Sequence, residues 1–282
     1  MSCLLIATLG AEPQVVSLAT ELLLRRGAAL TEVVIVHTDA HRPPIRQALS
    51  RLQEIFAAQP HWPPLQTVQA PVADTLTPQE LDLFGDTLYQ TLQCWLQRRV
   101  HIHLLLAGGR KSMAMVGMSV AQLLLGPEDA VWYLYSDEAL RRSRRMTLAP
   151  GDHAQLVAVP LPHPTLAPPH LTPTGQAPTR AAALAAVDAQ RAAQAHHFLH
   201  QVLTPAERRL AMLLATEVLT VGEAAARLSK SPKTITNQLT AIYSKLESSF
   251  GLQPDPGVKR EFLRRELAPY LAANEPVRER QI

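Results

Sequence analysis

Cysteine is almost absent: Cys3 and Cys94 are the only two in 282 residues. Their spacing suits neither a metal site nor a redox pair, which excludes a disulfide scaffold and leaves two buried free thiols as the expectation. Long apolar runs are missing too. Nothing approaches the roughly 20 residues of a spanning helix, and the opening MSCLLIATLG has no basic segment ahead of its apolar run, so it reads as a first strand. A cytoplasmic chain with no membrane partner is expected. Glycine is scarce at 12 residues, and none of GxGxxG, GxxxxGK[ST] or GxSxG occurs. Dinucleotide binding, a P-loop and a nucleophile elbow therefore have no motif, and no cofactor is expected.

What is present is centred on His101 to Leu125, HIHLLLAGGRKSMAMVGMSVAQLLL. The apolar run from Ile102 to Ala107 suits a buried parallel strand. It breaks at Gly108-Gly109, passes Arg110 and Lys111, and enters a segment whose Met115, Met118, Gln122 and Leu125 recur at helical spacing. Two glycines let backbone approach a ligand closely, and the free amides of a helix's first turn attract anions. With Arg110 and Lys111 this makes an anion cradle at a sheet edge; the plainer alternative is an ordinary turn with two solvated cations.

Strands and helices alternate around this centre. The order is a strand at Cys3–Thr8, a helix opened by Pro13-Gln14, a strand at Glu32–His37, a helix from Pro44 to Ala58 and a strand at Leu65–Ala70. Thr77-Pro78-Gln79-Glu80 has capping-box spacing and starts a helix reaching about Arg98. A strand at Val131–Tyr135 follows, then a hairpin around Pro150-Gly151-Asp152. The fold class predicted is α/β: a Rossmann-like, doubly wound, mainly parallel sheet, followed by a small all-α domain. The loops Leu9–Gln14 and Gly108–Ser112 would share one sheet edge and wall one pocket.

Seven prolines fall between Pro160 and Pro178, the composition of a stiff linker. An Ala-rich helix then runs from Arg180 to Val202, with Leu184, Val187, Arg191 and Phe198 near one side, as a connecting or dimer-forming element. His196 and His200 stand at i, i+4 with no third ligand near in sequence, so no metal is expected. The domains predicted are 1–160, a linker and connecting helix over 161–202, and 203–282.

Charge divides unevenly. Residues 1–160 carry 13 Lys/Arg against 14 Asp/Glu, residues 203–282 carry 12 against 9, and Arg227 to Lys245 holds four cations and no carboxylate. A basic face of this kind suits nucleic acid. Thr204-Pro205-Ala206-Glu207 is a second capping box, VGEAAARL (Val221–Leu228) a short helix, and Ser231-Pro232 the start of another. In that last helix Ile235, Leu239, Ile242 and Leu246 form the buried stripe, leaving Lys233, Thr234, Thr236, Asn237 and Thr240 toward solvent. Short polar side chains and a cation on one helix face suit the major groove of DNA.

Residues 204–246 resemble the LuxR-type helix-turn-helix, sharing its LTPxE opening, its A-x-x-L helix and, in SPKTITNQL, its S-x-K-T-[VI]-x-N-x-L recognition helix. The resemblance implies that Lys233, Thr234, Thr236 and Asn237 face double-stranded DNA, with Ser231 and Lys245 on the phosphates. A further helix around Val258 to Leu271 runs past that family's usual end.

The N-terminal 160 residues resemble the CRISPR-associated Rossmann fold, or CARF, domain. IATLGAEPQVV is similar to the family's LGxSPQVV loop, and LLLAGGRKSM to its late-strand GG-[RK]-K turn. Ala11 and Glu12 stand where that family commonly has Ser or Thr. The resemblance implies a two-fold homodimer binding cyclic oligoadenylates, the second messengers of type III CRISPR systems, with cyclic tetraadenylate (cA4) the expected ring. It also implies a pocket lined by Thr8, Leu9, Gly10, Gln14, Gly108, Gly109, Arg110, Lys111 and Ser112. Some members, the ring nucleases, cleave the ring without metal; here Lys111 and Ser112 would carry that step, with no general base obviously placed and His37 or Asp39, at the end of the second strand, the candidates to approach. Three functions follow as expectations: a ligand-responsive transcription regulator, a ring nuclease, and a nucleotide-binding scaffold whose C-terminal helices contact protein.

Overall fold

The computed structural model describes residues 2–161, 172–250 and 259–274. The chain divides into two compact units, Met1–Ala186 and Val187–Ile282.

The N-terminal unit is built on six strands: β1 (Cys3–Thr8), β2 (Leu30–His37), β3 (Leu65–Gln69), β4 (His101–Leu105), β5 (Ala130–Ser136) and β6 (Ala154–Val159). They lie in the order β3-β2-β1-β4-β5-β6, parallel throughout except β6, which runs antiparallel to β5. Strand order reverses between β1 and β4, which opens a crevice at their carboxyl ends. Every residue of β1 is buried. Leu4 and Ile6 pack with α3 (Pro78–Leu96) and α4 (Lys111–Leu124), through Phe84, Leu88, Val116 and Val120. Leu5 and Ala7 point the other way, onto Val16, Leu18 and Leu52 of α1 (Gln14–Arg25) and α2 (Pro43–Ala57). Alternate residues thus feed two cores on opposite faces, and both faces of the parallel sheet are covered.

Several expectations are corrected. The hairpin around Gly151 is absent; a short helix α5 (Glu138–Ser143) follows β5, and Ala154–Val159 returns alone to pair with it. The inner face of α4 is Met113, Val116, Val120 and Leu124, while Met115 is 74% exposed and Gln122 is on the surface. Both sets recur at helical spacing, and only packing against β4 and α3 selects the phase. Cys3 is buried but Cys94 is exposed. The expected linker partly belongs to the unit: its residues 162–171 lie outside the described residues, but α6 (Pro173–Gln176) docks on α3. There the Gln93 side-chain amide donates to the carbonyls of Gly175 and Ala177, each at 2.8 Å, and the Tyr89 hydroxyl donates to Ala177 at 3.1 Å.

The boundary between the units falls inside α7 (Arg180–His197). Arg191 is on its surface and Leu184 is 39% exposed; the buried positions are Ala183 and Ala195, followed by Phe198 and Leu199. Phe198–Val202 widens into a π-helical turn, whose extra residue lets two consecutive side chains turn inward.

The C-terminal unit continues with α8 (Pro205–Thr216), α9 (Val221–Arg227), α10 (Pro232–Phe250) and α11 (Lys259–Asn274). Capping boxes start α8 at Thr204/Glu207 and α9 at Thr220/Glu223, as one starts α3 at Thr77/Glu80. Ile235, Leu239, Ile242 and Leu246 of α10 are buried, meeting Phe198, Leu210 and Leu263 in one core. The extra helix begins at Lys259; Val258 lies outside the described residues. No helix among the described residues is long and apolar enough to cross a membrane.

Candidate functional site

The crevice between β1 and β4 is closed at its base by backbone against backbone. Thr8 Oγ1, fully buried, donates to the Gly108 carbonyl at 2.6 Å, tying the two strand ends together across a sequence separation of 100. A Cβ on Gly10 would lie 2.5 Å from the Gly109 Cα, and one on Gly108 would lie 2.1 Å from the Thr8 carbonyl oxygen. Neither loop admits a side chain here. Gly109 also has φ +95°, the left-handed region in which glycine alone is unstrained. The two loops that sequence placed on one edge therefore touch, and Thr8, Leu9, Gly10 and Gly108 are buried in that contact.

Arg110 leaves the turn in extended conformation as the residue before α4, and Lys111 is its first helical residue. In the first turn of α4 the Met113 N–H donates to the Arg110 carbonyl at 3.0 Å, which leaves the amides of Lys111 and Ser112 at its positive dipole end. Lys111 is exposed, and no ion pair engages it among the described residues. Arg110 is not free in the same way. Its Nε and a terminal nitrogen hold both oxygens of Asp74 at 2.6 and 2.7 Å, and Arg42 reaches the same carboxylate at 3.0 Å. The Arg110 hydrogen bond, helped by the Thr75 backbone N–H and the charge of Arg42, pulls the Asp74 carboxyl down to about 2. One carboxylate against two guanidinium groups leaves the cluster net positive before Lys111 is added. Ser112 Oγ lies 3.1 Å from Thr75 Oγ1, so the β3–α3 loop forms a third wall.

Asp74, Thr75 and Arg42 were missed from sequence. Asp74 follows β3 in PVADTLTPQE with no local signal; only the return of α3 across the sheet brings it to Arg110.

Gln14 begins α1 and is 4% exposed, yet its Oε1 has no hydrogen-bond partner. It lines a cavity of about 140 Å³ between α1, β5 and α5. His37, the candidate base, is 3% exposed, with its Nδ1 2.6 Å from the Thr38 carbonyl oxygen, and burial lowers its pKa. Asp39 Oδ1 accepts from the His41 backbone at 2.9 Å.

In the C-terminal unit Ser231, Lys233, Thr234, Thr236 and Asn237 are exposed at the start of α10. Ser231 Oγ caps it by accepting from Thr234 N at 3.1 Å. Thr236 donates its hydroxyl back to the Pro232 carbonyl, which turns its remaining lone pairs and methyl outward. The Lys245 Nζ pairs at 2.6 Å with Glu207, the carboxylate of the α8 capping box. That ion pair braces α10 against α8. His196 pairs with the Tyr270 hydroxyl at 2.7 Å, and no group of three metal-ligating side chains occurs among the described residues.

Comparison with known families now decides what the N-terminal unit is. Residues 12–162, more than half of the chain, match the CRISPR-associated protein NE0113 family. The chain belongs to that family. The match runs from the loop after β1 to just past β6, so the family's segment contains α1, the Gly108–Ser112 turn and the Asp74 cluster. No curated protein matches the chain. Among solved structures it is similar to Can2 from Sulfobacillus thermosulfidooxidans in complex with cyclic tetra-adenylate, at 13% identity and a TM-score of 0.33, over 94% of this chain and 64% of that one. The chain thus spans less than two thirds of that protein's length.

Proposed function

We propose that the chain is a homodimeric transcription regulator of a type III CRISPR system that senses a cyclic oligoadenylate, with cyclic tetraadenylate the expected ring, through a CARF-type N-terminal domain. The observation that carries this reading is the turn at the β1/β4 switch point: a side-chain-free floor of Gly10, Gly108 and Gly109 beneath the N-terminus of α4, with a Lys111 that no ion pair engages among the described residues. Membership of a CRISPR-associated family supports it, as does the resemblance of both loops to the CARF motifs. A ring of four phosphates has two-fold symmetry, so a symmetric pair of such turns would match its charge as one copy would not. The C-terminal unit supplies the second half of the reading, a helix-turn-helix whose α10 presents Lys233, Thr234, Thr236 and Asn237 to the major groove. Ligand then acts by favouring one of two dimer states that differ in DNA affinity, with α7 as the covalent connection. A gel-shift titration of promoter DNA with and without cyclic tetraadenylate tests the proposal; equal DNA affinity in both arms overturns it.

Ring cleavage at Lys111 and Ser112 is the weaker reading. Attack by a ribose 2′-hydroxyl needs a base within reach of the ring. His37 is buried, Asp39 Oδ1 accepts from the His41 backbone N–H, and the Ser112 hydroxyl is shared with Thr75. Labelled cyclic tetraadenylate incubated with stoichiometric protein in EDTA is expected to stay closed, whereas linear product lost in Lys111→Ala would establish the nuclease.

A further inference from the structure

The cavity beside α1 is distinct from the cationic turn, although the same two loops build part of each. Ala107, immediately before Gly108, and Glu12 and Gln14, just after Gly10, contribute to its wall. Leu18, Leu134 and Leu140, all at most 7% exposed, form the apolar part of its wall. Its polar groups are Gln14, which is buried, the partly buried Ser136, and the exposed Glu12, Tyr133 and Arg141. At about 140 Å³ it is close to the roughly 150 Å³ that admits one benzene ring in an apolar protein cavity, and it is open on one side.

The Gln14 amide is the anomaly. A buried amide oxygen without a partner costs stability, and such groups are rare in native proteins unless a ligand or water completes them. A glutamine amide presents an acceptor and a donor side by side, the pattern that pairs with the 6-amino group and N7 of adenine. A cavity with one leucine-lined wall that holds that amide, is open on one side and has the Arg141 guanidinium in its lining is suited to one ring of a purine bearing an exocyclic amine, with the second ring in the opening.

We propose that this cavity is a base-reading subsite: Gln14 Oε1 accepts from the adenine 6-amino group while its Nε2 donates to N7, and Leu18, Leu134 and Leu140 pack against the ring. The proposal rests on the cyclic oligoadenylate reading above and adds the residue that tells adenine from other bases. In this division the cationic turn holds phosphate and the α1 cavity holds base.

The test is calorimetric titration of the full chain with cyclic tetraadenylate and with the corresponding tetrainosinate ring, whose C6 carbonyl repels the Gln14 oxygen. Wild type is expected to favour the adenylate ring at least tenfold, as a good bidentate base contact would. Gln14→Leu removes the orphaned amide, so it is expected to melt at or above the wild-type temperature while losing that preference and about tenfold in adenylate affinity. Leu18→Trp, filling the cavity, is expected to weaken both rings alike. Unchanged affinity and preference in Gln14→Leu would overturn the subsite and leave ring sensing standing. Failure of the wild-type chain to bind either ring would overturn ring sensing, and the subsite with it.

Discussion

The two candidate binding surfaces are made in opposite ways. At the β1/β4 edge the recognising groups are largely backbone, and they come from residues about a hundred positions apart, held by the Thr8 to Gly108 hydrogen bond and a contact that leaves no room for a Cβ. On α10 they are side chains drawn from seven consecutive residues, Ser231 to Asn237, fixed only by one helix and its cap. The first surface should fail all at once when its packing is disturbed, and the second should fail one contact at a time with the fold intact.

The sharpest way to break that comparison is Gly108→Ala. Its new methyl would sit 2.1 Å from the Thr8 carbonyl oxygen, so the strand ends must separate. A loss of about 3 kcal/mol in urea unfolding is expected, together with loss of ring binding. A variant as stable as wild type would show that the floor is not close-packed. Next in size is Asn237→Ala, expected to weaken specific DNA binding by about 2 kcal/mol in a gel-shift titration while the melting temperature and ring affinity stay as they were. A fall in ring affinity there would mean the two surfaces are not separable.

Smaller effects sharpen the first surface. Lys111→Ala should cost about tenfold in ring affinity, flatten the dependence of binding on salt, and leave thermal unfolding unchanged, since Lys111 pairs with nothing described. The smallest effect is expected at Asp74→Asn, about 0.5 kcal/mol at pH 7, because Arg110 in the pair is half exposed. The Asp74 carboxyl titrates at about 2 when folded against an ordinary 3.8. The ionised pair therefore stabilises the fold fully above about pH 4, and its contribution fades as acid is added toward pH 2. The gap between wild type and Asp74→Asn in urea midpoint should accordingly be constant from pH 5 to 8 and close below pH 4.

Legibility followed sequence separation. The capping boxes of α3 and α8 and the buried stripe of α10 are patterns spanning three to eleven residues, and they stand in the structure where the pattern placed them. The phase of α4 and the buried side of α7 were not legible, since in each case two apolar or Ala-rich faces had equal claim and packing chose between them. Asp74 with Arg110 and Glu207 with Lys245 are 36 and 38 residues apart and carry no local signature. The second of these pairs a cation that the helix-turn-helix resemblance assigns to phosphate.

By itself the sequence determined the alternation of strands and helices, the two glycine-bearing loops at one sheet edge, and the polar face of α10. These rest on backbone preference and hydrophobic period, which act within a few residues. Tertiary structure alone decided that the loops touch with no space for a side chain, that among the described residues Arg110 is held by a carboxylate while Lys111 is not, and that Gln14 faces a cavity with its oxygen unanswered by any of them. Those outcomes depend on which distant groups are brought within hydrogen-bond range, and chain folding sets that distance, not chain order.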